Sequence, residues 1–291
     1  MNNSKKIGLI GLGDMGYPIA CNLMKSGYCV TGYDIDSEKL DRFVSDGGNR
    51  SENIPELVGH NDIILTLLPS SDLFVSVANE YLIPNARAGQ LFIEIGTTVP
   101  NDIKDVAEKL KLKSANLLDA PVSGGTEGAK KAKLKMFVGG DQHIYEMTFQ
   151  VLSDIAGPET IVYCGSHGSG QAMKGVNQLI MGLQSAACLE ILSFAVHTGL
   201  DLDLIGQVFP ENSNKQIVSM AEKITAGHGN EIGVKFRELP YYIRQAHELG
   251  YELPITKRVY EFCDKGERVV VDDHREAPSF WNELLKKVKE Q

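Results

Sequence analysis

Residues 5–16 read KKIGLIGLGDMG. Lys5 to Ile10 is a short strand rich in Ile and Leu. It runs into Gly11-Leu12-Gly13-Asp14-Met15-Gly16, and a helical stretch follows to about Ser26. A strand, GxGxxG and a helix in that order form the fingerprint of a dinucleotide-binding turn. Gly11 permits the tight turn, Gly13 lets backbone approach a pyrophosphate, and Gly16 allows the helix to pack close on the strand. The helix N-terminus adds free N–H groups and the positive end of its dipole for the phosphates. GxGxxG alone is a weak signal, and the flanking elements give it weight. Leu12, Asp14 and Met15 complete the loop and are candidate cofactor contacts with the three glycines.

Outward from this turn, strands and helices alternate. Tyr28 to Tyr33 is the next strand and ends at Asp34, at the distance where an acidic residue meets the adenine ribose hydroxyls. A carboxylate there repels a 2′-phosphate, and no Arg follows at Ile35 or Asp36, which favours NAD over NADP. The competing reading makes Asp34 a cap for the helix that starts near Ser37. Further strands are expected at Asp62 to Leu68, Leu91 to Ile95, Asn116 to Ala120, Leu134 to Val138 and Ile161 to Cys164. Such alternation predicts an α/β, doubly wound, mostly parallel sheet of Rossmann type. Ligands of such sheets bind beyond the carboxyl ends of the strands. Leu68, Pro69 and Thr97 lie there and are candidate cofactor contacts. Ser123-Gly124-Gly125 also lies there, offering a hydroxyl and unobstructed N–H groups to a carboxylate. An ordinary turn of small residues explains that segment as well.

Residues 168–199, GSGQAMKGVNQLIMGLQSAACLEILSFAVHTG, predict one long helix opened by Gly168 and Gly170 and closed by Gly199. Apolar residues fill nearly all of its circumference, so it is expected to be buried on most sides, between two domains or two subunits. Lys174, Asn177 and Gln178 stand at i, i+3 and i+4 and share a face. They read either as a solvated stripe or as the edge of an active site. After Gly199 the chain reads as all-helical: 202–209, 216–225, 234–249, 254–265 and 279–289, with linkers at 211–214, 227–233 and 267–277. Domain boundaries follow: 1–165 for the cofactor, 166–291 for substrate and oligomerisation. Asp272-Asp273-His274-Arg275-Glu276 lacks ligand spacing on a regular element, so a solvated loop is expected and no metal. All seven histidines read as structural or surface.

The net charge of -9 argues against nucleic acid and anionic membranes as partners. The one basic cluster, Lys130 to Lys135 (KKAKLK), reads as a solvated face. Five cysteines without a CxxC pair read as reduced, hence cytoplasmic. MNNSKK leads straight into a strand, so no signal peptide is expected, and no apolar run is expected to span a membrane.

With these residues in hand the chain resembles the β-hydroxyacid dehydrogenase family, which includes 3-hydroxyisobutyrate dehydrogenase and tartronate semialdehyde reductase. GLIGLGDMG matches its cofactor loop, DAPVSGGTEGA at 119–129 its substrate segment, and GSGQAMKGVNQ at 168–178 the segment with its catalytic lysine. The resemblance implies an oxidoreductase that moves a hydride between NAD(H) and a small β-hydroxy acid lying in a cleft between domains. The carboxylate would meet Ser123, Gly124 and Gly125, with Thr97 nearby. Lys174 would exchange the hydroxyl proton, and Asn177 and Gln178 would hold amine and substrate in register. A free Lys titrates near pKa 10.4, and burial together with Lys235 or Arg237 would lower it. Arg237 is also a candidate cofactor contact. A homodimer or homotetramer built on the helical domain is implied too.

The chain departs from the family pattern in four places. Gly96-Thr97 stands where Ser-Thr is common, Asn177-Gln178 where Asn-Asn is, Arg237-Glu238-Leu239 where Lys-Asp-Leu is, and Ala132-Lys133 where Gly-Thr is frequent. Arg is not a neutral swap for Lys. These changes point to a substrate unlike that of the best-known members. Three other readings stay open: a 6-phosphogluconate-dehydrogenase-like oxidative decarboxylase, an imine-reducing relative and a non-catalytic NAD-binding protein. The helical domain looks too short and too poor in phosphate-binding cations for the first. Imine-reducing relatives usually lack the lysine. Intact Lys174 and Ser123-Gly124-Gly125 weigh against the third.

Overall fold

The structure is a computed structural model, and it describes residues 5–209, 211–226, 238–262, 269–272 and 275–277. The chain forms two compact units, residues 1–174 and 175–291.

The first unit begins with β1 (Lys6–Ile10), α1 (Gly16–Lys25), β2 (Cys29–Tyr33), α2 (Ser37–Ser45), β3 (Asn49–Arg50), α3 (Ile54–His60) and β4 (Ile63–Thr66). Next come α4 (Ser71–Val77), a π turn, α5 (Ile83–Asn85), β5 (Leu91–Glu94), α6 (Pro100–Lys111), β6 (Asn116–Asp119), β7 (Val122–Ser123) and α7 (Gly125–Lys130). β8 (Lys135–Gly140), α8 (Gln142–Ala156) and β9 (Ile161–Gly165) lead to the long helix α9 (Ser169–His197). The sheet runs β3-β2-β1-β4-β5-β6, all parallel. β8 then joins β6 and β7 antiparallel and β9 parallel, so the sheet is mostly but not wholly parallel.

The central strands β4 and β5 are buried at every position, as expected where helices cover both faces of a parallel sheet. Alternate residues feed two cores. Ile7, Leu9, Ile63, Leu65 and Ile93 enter one, and Ile10, Ile64, Phe92 and Leu117 enter the other. The helices start where short polar side chains take a first-turn N–H. Asn53 accepts from Glu56 at 2.8 Å, and Asp141 accepts from His143 at 2.9 Å. The cap of α2 is Asp36, which accepts from Glu38 at 3.0 Å. Asp34 is therefore not the cap of that helix.

In the second unit, α9 buries Ala186, Leu189, Leu192 and Val196 against Met220, Ala221 and Ile224 of α11 (Glu211–Thr225) and Leu239 of α12 (Leu239–Glu248). α10 (Asp203–Val208) and α13 (Pro254–Phe262) complete the helices. The expected burial of α9 on most sides is corrected in part: Val176, Ile180, Ile191 and Phe194 are exposed. α9 is also long and apolar enough by composition to cross a membrane, with a mean hydropathy of 1.8 over its best window, against the expectation that no such run exists. Here it packs in the core of a helical unit. Residues 211–214, expected as a linker, are helical because α11 starts at Glu211. The stretch expected as a loop at 267–277 holds a small antiparallel pair, β10 (Val269–Asp272) with β11 (Arg275–Ala277). Val269–Val271 supplies the β-branched run that favours a strand. The helix expected over 279–289, the linker at 227–233 and residues 273–274 lie outside the described residues.

Candidate active site

The glycine turn has the geometry its sequence predicts. Gly11 has φ 97°, and its N–H donates to the Tyr33 carbonyl at 2.9 Å, tying β1 to β2. Gly13 differs in kind, because a Cβ there would meet nothing within 4 Å. Packing does not demand glycine at that position, whereas the close approach of a phosphate does. The Asp34 carboxylate accepts the Leu12 N–H at 2.7 Å and the Asp36 N–H at 2.9 Å. It is thereby fixed half-buried at the end of β2, beside the turn. Asp14 and Met15 lead into α1. Leu68 is half-buried and Pro69 exposed just past the end of β4. A cavity of about 550 Å³ borders the turn at Leu12, Gly13 and Asp14, with Lys39, Arg42 and Lys130 on its walls. These cations have local partners: Asp36 for Lys39, Glu127 for Lys130, and the Tyr17 ring under Arg42 at 4.1 Å. The residues present fit a nicotinamide dinucleotide.

The start of α9 is tied to the sheet. Asp119, fully buried at the end of β6, accepts the Gly168 N–H and the Gln171 N–H, each at 2.9 Å. Burial pushes its carboxyl up, and those two N–H bonds oppose the shift. Gln171 closes the same end of the helix on the turn after β5. Its amide donates to the Gly96 carbonyl at 2.8 Å and accepts the Thr98 N–H at 3.0 Å. One turn further on, Lys174 is 5% exposed, and its Nζ donates to the Val122 carbonyl at 2.8 Å. Val122 immediately precedes Ser123, Gly124 and Gly125. The two glycines have φ 139° and 63°, values that side-chain-bearing residues rarely adopt. Both are exposed; a Cβ at Gly125 would meet nothing within 4 Å, whereas one at Gly124 would press on Leu134 at 3.1 Å. The structure thus brings Lys174 to the Ser-Gly-Gly segment, with half-buried Thr97 on the neighbouring turn beside Gln171's partners.

In the second unit Gln178 is buried, and its amide donates to the Glu238 carboxylate. Asn177 reaches the Met181 sulfur at 3.6 Å. Gln178 therefore spends a donor on Glu238, the residue that stands for the family's aspartate. Tyr242, packed against Gly175, has a buried hydroxyl with no hydrogen-bond partner among the described residues. Arg237 and Lys235 lie outside the described residues. Among the described residues no group of His, Cys, Asp and Glu could hold a metal.

Asp119, Gln171, Glu94 and Thr98 were not legible as site residues. Asp119 and Gln171 stand inside motifs quoted for their neighbours. Glu94 carried a signal of its own, a charged residue at the end of an apolar strand. Its side chain also accounts for one departure from the family, since a Cβ at Gly96 would collide with the Glu94 carboxyl and crowd the Leu68 carbonyl at 3.3 Å.

Comparison with known proteins bears on this geometry. The family profile described as the NAD binding domain of 6-phosphogluconate dehydrogenase matches residues 6–165. The chain belongs to the β-hydroxyacid dehydrogenase family. A second profile of that family, described as the NAD-binding of NADP-dependent 3-hydroxyisobutyrate dehydrogenase, matches residues 168–277. The chain is 30% identical over 274 residues to 2-(hydroxymethyl)glutarate dehydrogenase of Eubacterium barkeri, covering 91% of this chain and 90% of that one. It is 30% identical to 3-hydroxyisobutyrate dehydrogenase of Pseudomonas aeruginosa, covering 71% and 70%. The solved structure of Mycobacterium tuberculosis 3-hydroxyisobutyrate dehydrogenase with L-serine superposes with a TM-score of 0.78 at 25% identity, over 98% and 99% of the two chains. An imine reductase from Myxococcus stipitatus shares the fold at 14% identity and a TM-score of 0.66. As a β-hydroxyacid dehydrogenase the chain is an oxidoreductase with a nicotinamide cofactor.

Proposed function

We propose that this dehydrogenase interconverts a short β-hydroxy acid and its semialdehyde, with Lys174 as the proton donor and acceptor. The observation that carries this reading is the 2.8 Å bond from the buried Lys174 amine to the carbonyl of Val122, next to Ser123. It sets the amine beside backbone suited to a carboxylate, so one small molecule spans both. Bound nicotinamide supplies or accepts the hydride. Ser123, Gly124 and Gly125 hold the carboxylate, Thr97 lies alongside, and Lys174 gives its proton to the forming hydroxyl or takes it back. Gln178 and Asn177, on the same helix as Lys174, are the further residues assigned to substrate. Gly11, Leu12, Gly13, Asp14, Met15 and Gly16 hold the pyrophosphate, with Leu68 and Pro69 beside the cofactor. Asp34 meets the adenine ribose, which favours NAD over NADP. Residues 1–165 serve as the cofactor domain and 166–291 as the substrate and oligomerisation domain.

The exposed apolar face of α9 supports a homo-oligomer, dimer or tetramer. The free thiols of Cys21, Cys29, Cys164 and Cys188 support the cytoplasm. The test is turnover with NAD and NADP on 3-hydroxyisobutyrate, 2-(hydroxymethyl)glutarate and serine, and with NADH on methylmalonate, tartronate and succinate semialdehydes and sulfolactaldehyde. Activity with NAD(H), lost in Lys174→Ala, supports the reading. Nicotinamide binding without turnover of any of them overturns it.

A further inference from the structure

A row of polar side chains crosses the carboxyl ends of the central strands. Thr66 of β4, Glu94 of β5 and Asp119 of β6 are paired in register, one beside the next, so their side chains share a sheet face. All three are at most 2% exposed. The two acids differ in what they receive. Asp119 takes two backbone N–H groups from the positive end of α9, which favours a charged carboxylate. Glu94 is bonded to the Thr66 hydroxyl, takes the Thr98 hydroxyl at 3.2 Å and takes the Gly96 N–H. A hydroxyl accepts as well as it donates. A protonated Glu94 can therefore donate to Thr66, while Thr66 turns its own proton to the Ile93 carbonyl at 3.5 Å.

Every polar atom of the row then has a partner, and two like charges on adjacent strands are avoided. Burial raises the Glu94 carboxyl to about 8, with Asp119 adding to the shift. The titratable groups on bordering elements are Asp119 on β6, His167 beside it, Asp102 on α6 and Lys174 on α9. Asp102 accepts from the Ser71 hydroxyl at 2.9 Å.

What Glu94 holds is the turn after β5. Gly96 and Thr98, which it binds, are the same residues that Gln171 grips at the start of α9, three positions before Lys174. We propose that Glu94, as the neutral acid, is a positioning residue for the reaction: it fixes the 96–98 turn and, through Gln171, the helix that presents Lys174. This rests on the reading of Lys174 given above. Ionisation of Glu94 would set a buried charge beside the Asp119 carboxyl and pull the Thr66 hydroxyl off the Ile93 carbonyl, shifting the row across β4, β5 and β6 on which the turn sits.

The experiment compares wild type, Glu94→Gln and Glu94→Ala for kcat, KM and thermal midpoint from about pH 5.5 to 9.5. Gln keeps the size and the hydrogen bonds but cannot ionise. Glu94→Gln is expected to turn over near the wild-type rate at about pH 6.5, with its alkaline limb shifted up by about one pH unit or more. Glu94→Ala is expected to lose roughly tenfold or more in kcat, with a smaller change in KM. Identical alkaline limbs in wild type and Glu94→Gln would overturn the proposal. So would a Glu94→Gln variant that is slow at about pH 6.5 with an unchanged midpoint, because the carboxylate would then be the working form. If wild type turns over no substrate at all, it is the functional reading that fails. Glu94 is then judged by the midpoint and by NADH affinity, which need no substrate. Both should fall more steeply with rising pH in wild type than in Glu94→Gln, and parallel curves would overturn the proposal.

Discussion

Lys174→Ala removes the amine that the Val122 carbonyl receives, and kcat should fall by about a hundredfold or more. NADH affinity, read by fluorescence titration, should stay near wild type because the glycine turn is held by its own bonds to Tyr33 and Asp34. A loss of NADH binding of the same size would instead point to misfolding of the start of α9. Gly96 offers a sharper test of single-residue logic. Gly96→Ser restores the hydroxyl common in the family but drives a Cβ into the Glu94 carboxyl, and should cost about 1–3 kcal/mol in urea unfolding. Shortening the partner in Gly96→Ser/Glu94→Asp should recover part of that loss, with a coupling of about 0.5–3 kcal/mol. Additive losses would mean that the two positions are independent. This coupling was invisible in the sequence, where Gly96 looked like a missing hydroxyl. The strand end had to be folded before glycine could be seen to leave room for a glutamate.

At the scale of the element, α9 was the most legible feature of the chain. Its lack of proline, its opening glycines and its closing Gly199 set its extent to within a residue or so. The side of it that packs was less legible, because apolar residues surround the whole helix. Periodicity reports burial only when polar residues mark the other face. The dinucleotide turn was readable for the opposite reason, since each of its glycines answers a separate local demand. The β10–β11 pair was missed because charged residues at 272–276 masked a short β-branched run. How α9 is anchored was also hidden, since Asp119 is some 50 positions away from the N–H groups it accepts. Asp119→Ala should orphan two buried N–H groups, at about 1–3 kcal/mol each. The same variant should lower kcat more than NADH affinity, because Lys174 loses its reference point before the cofactor loop does. Thermal unfolding and steady-state kinetics on one preparation separate the two effects.

For the whole molecule, Glu94 ties stability to pH. Its ordinary value is near 4.5 and burial lifts it to about 8. Between those values the unfolded chain has released the proton and the folded chain still holds it. Stability from this group is therefore present below about 4.5 and drains as pH climbs towards 8, by up to about 1.4 kcal/mol per pH unit. Midpoints in urea should fall across that window and fall less in Glu94→Gln. Association is the other whole-molecule property. Phe194 is 68% exposed and Ile191 52%, on a helix that also leaves Val176 and Ile180 uncovered. An apolar stripe of this kind is a common mark of a protein–protein contact. Phe194→Glu should shift sedimentation towards a smaller species while leaving the fold intact by circular dichroism. An unchanged oligomer would remove this face from the interface.

Every bond described for the Lys174 amine and its supports (Val122, Asp119, Gly168, Gln171, Gly96) comes from residues before Gly175. The helix then continues into a unit with its own core. The bonds described for Lys174 and its supports are thus written in one stretch of the gene, before the second unit begins. A graft that replaces the chain after Gly175 with the equivalent stretch of a relative would keep every one of those bonds. Divergence by recombination at that seam, rather than by piecemeal change around the lysine, is the evolutionary route such an arrangement makes cheap.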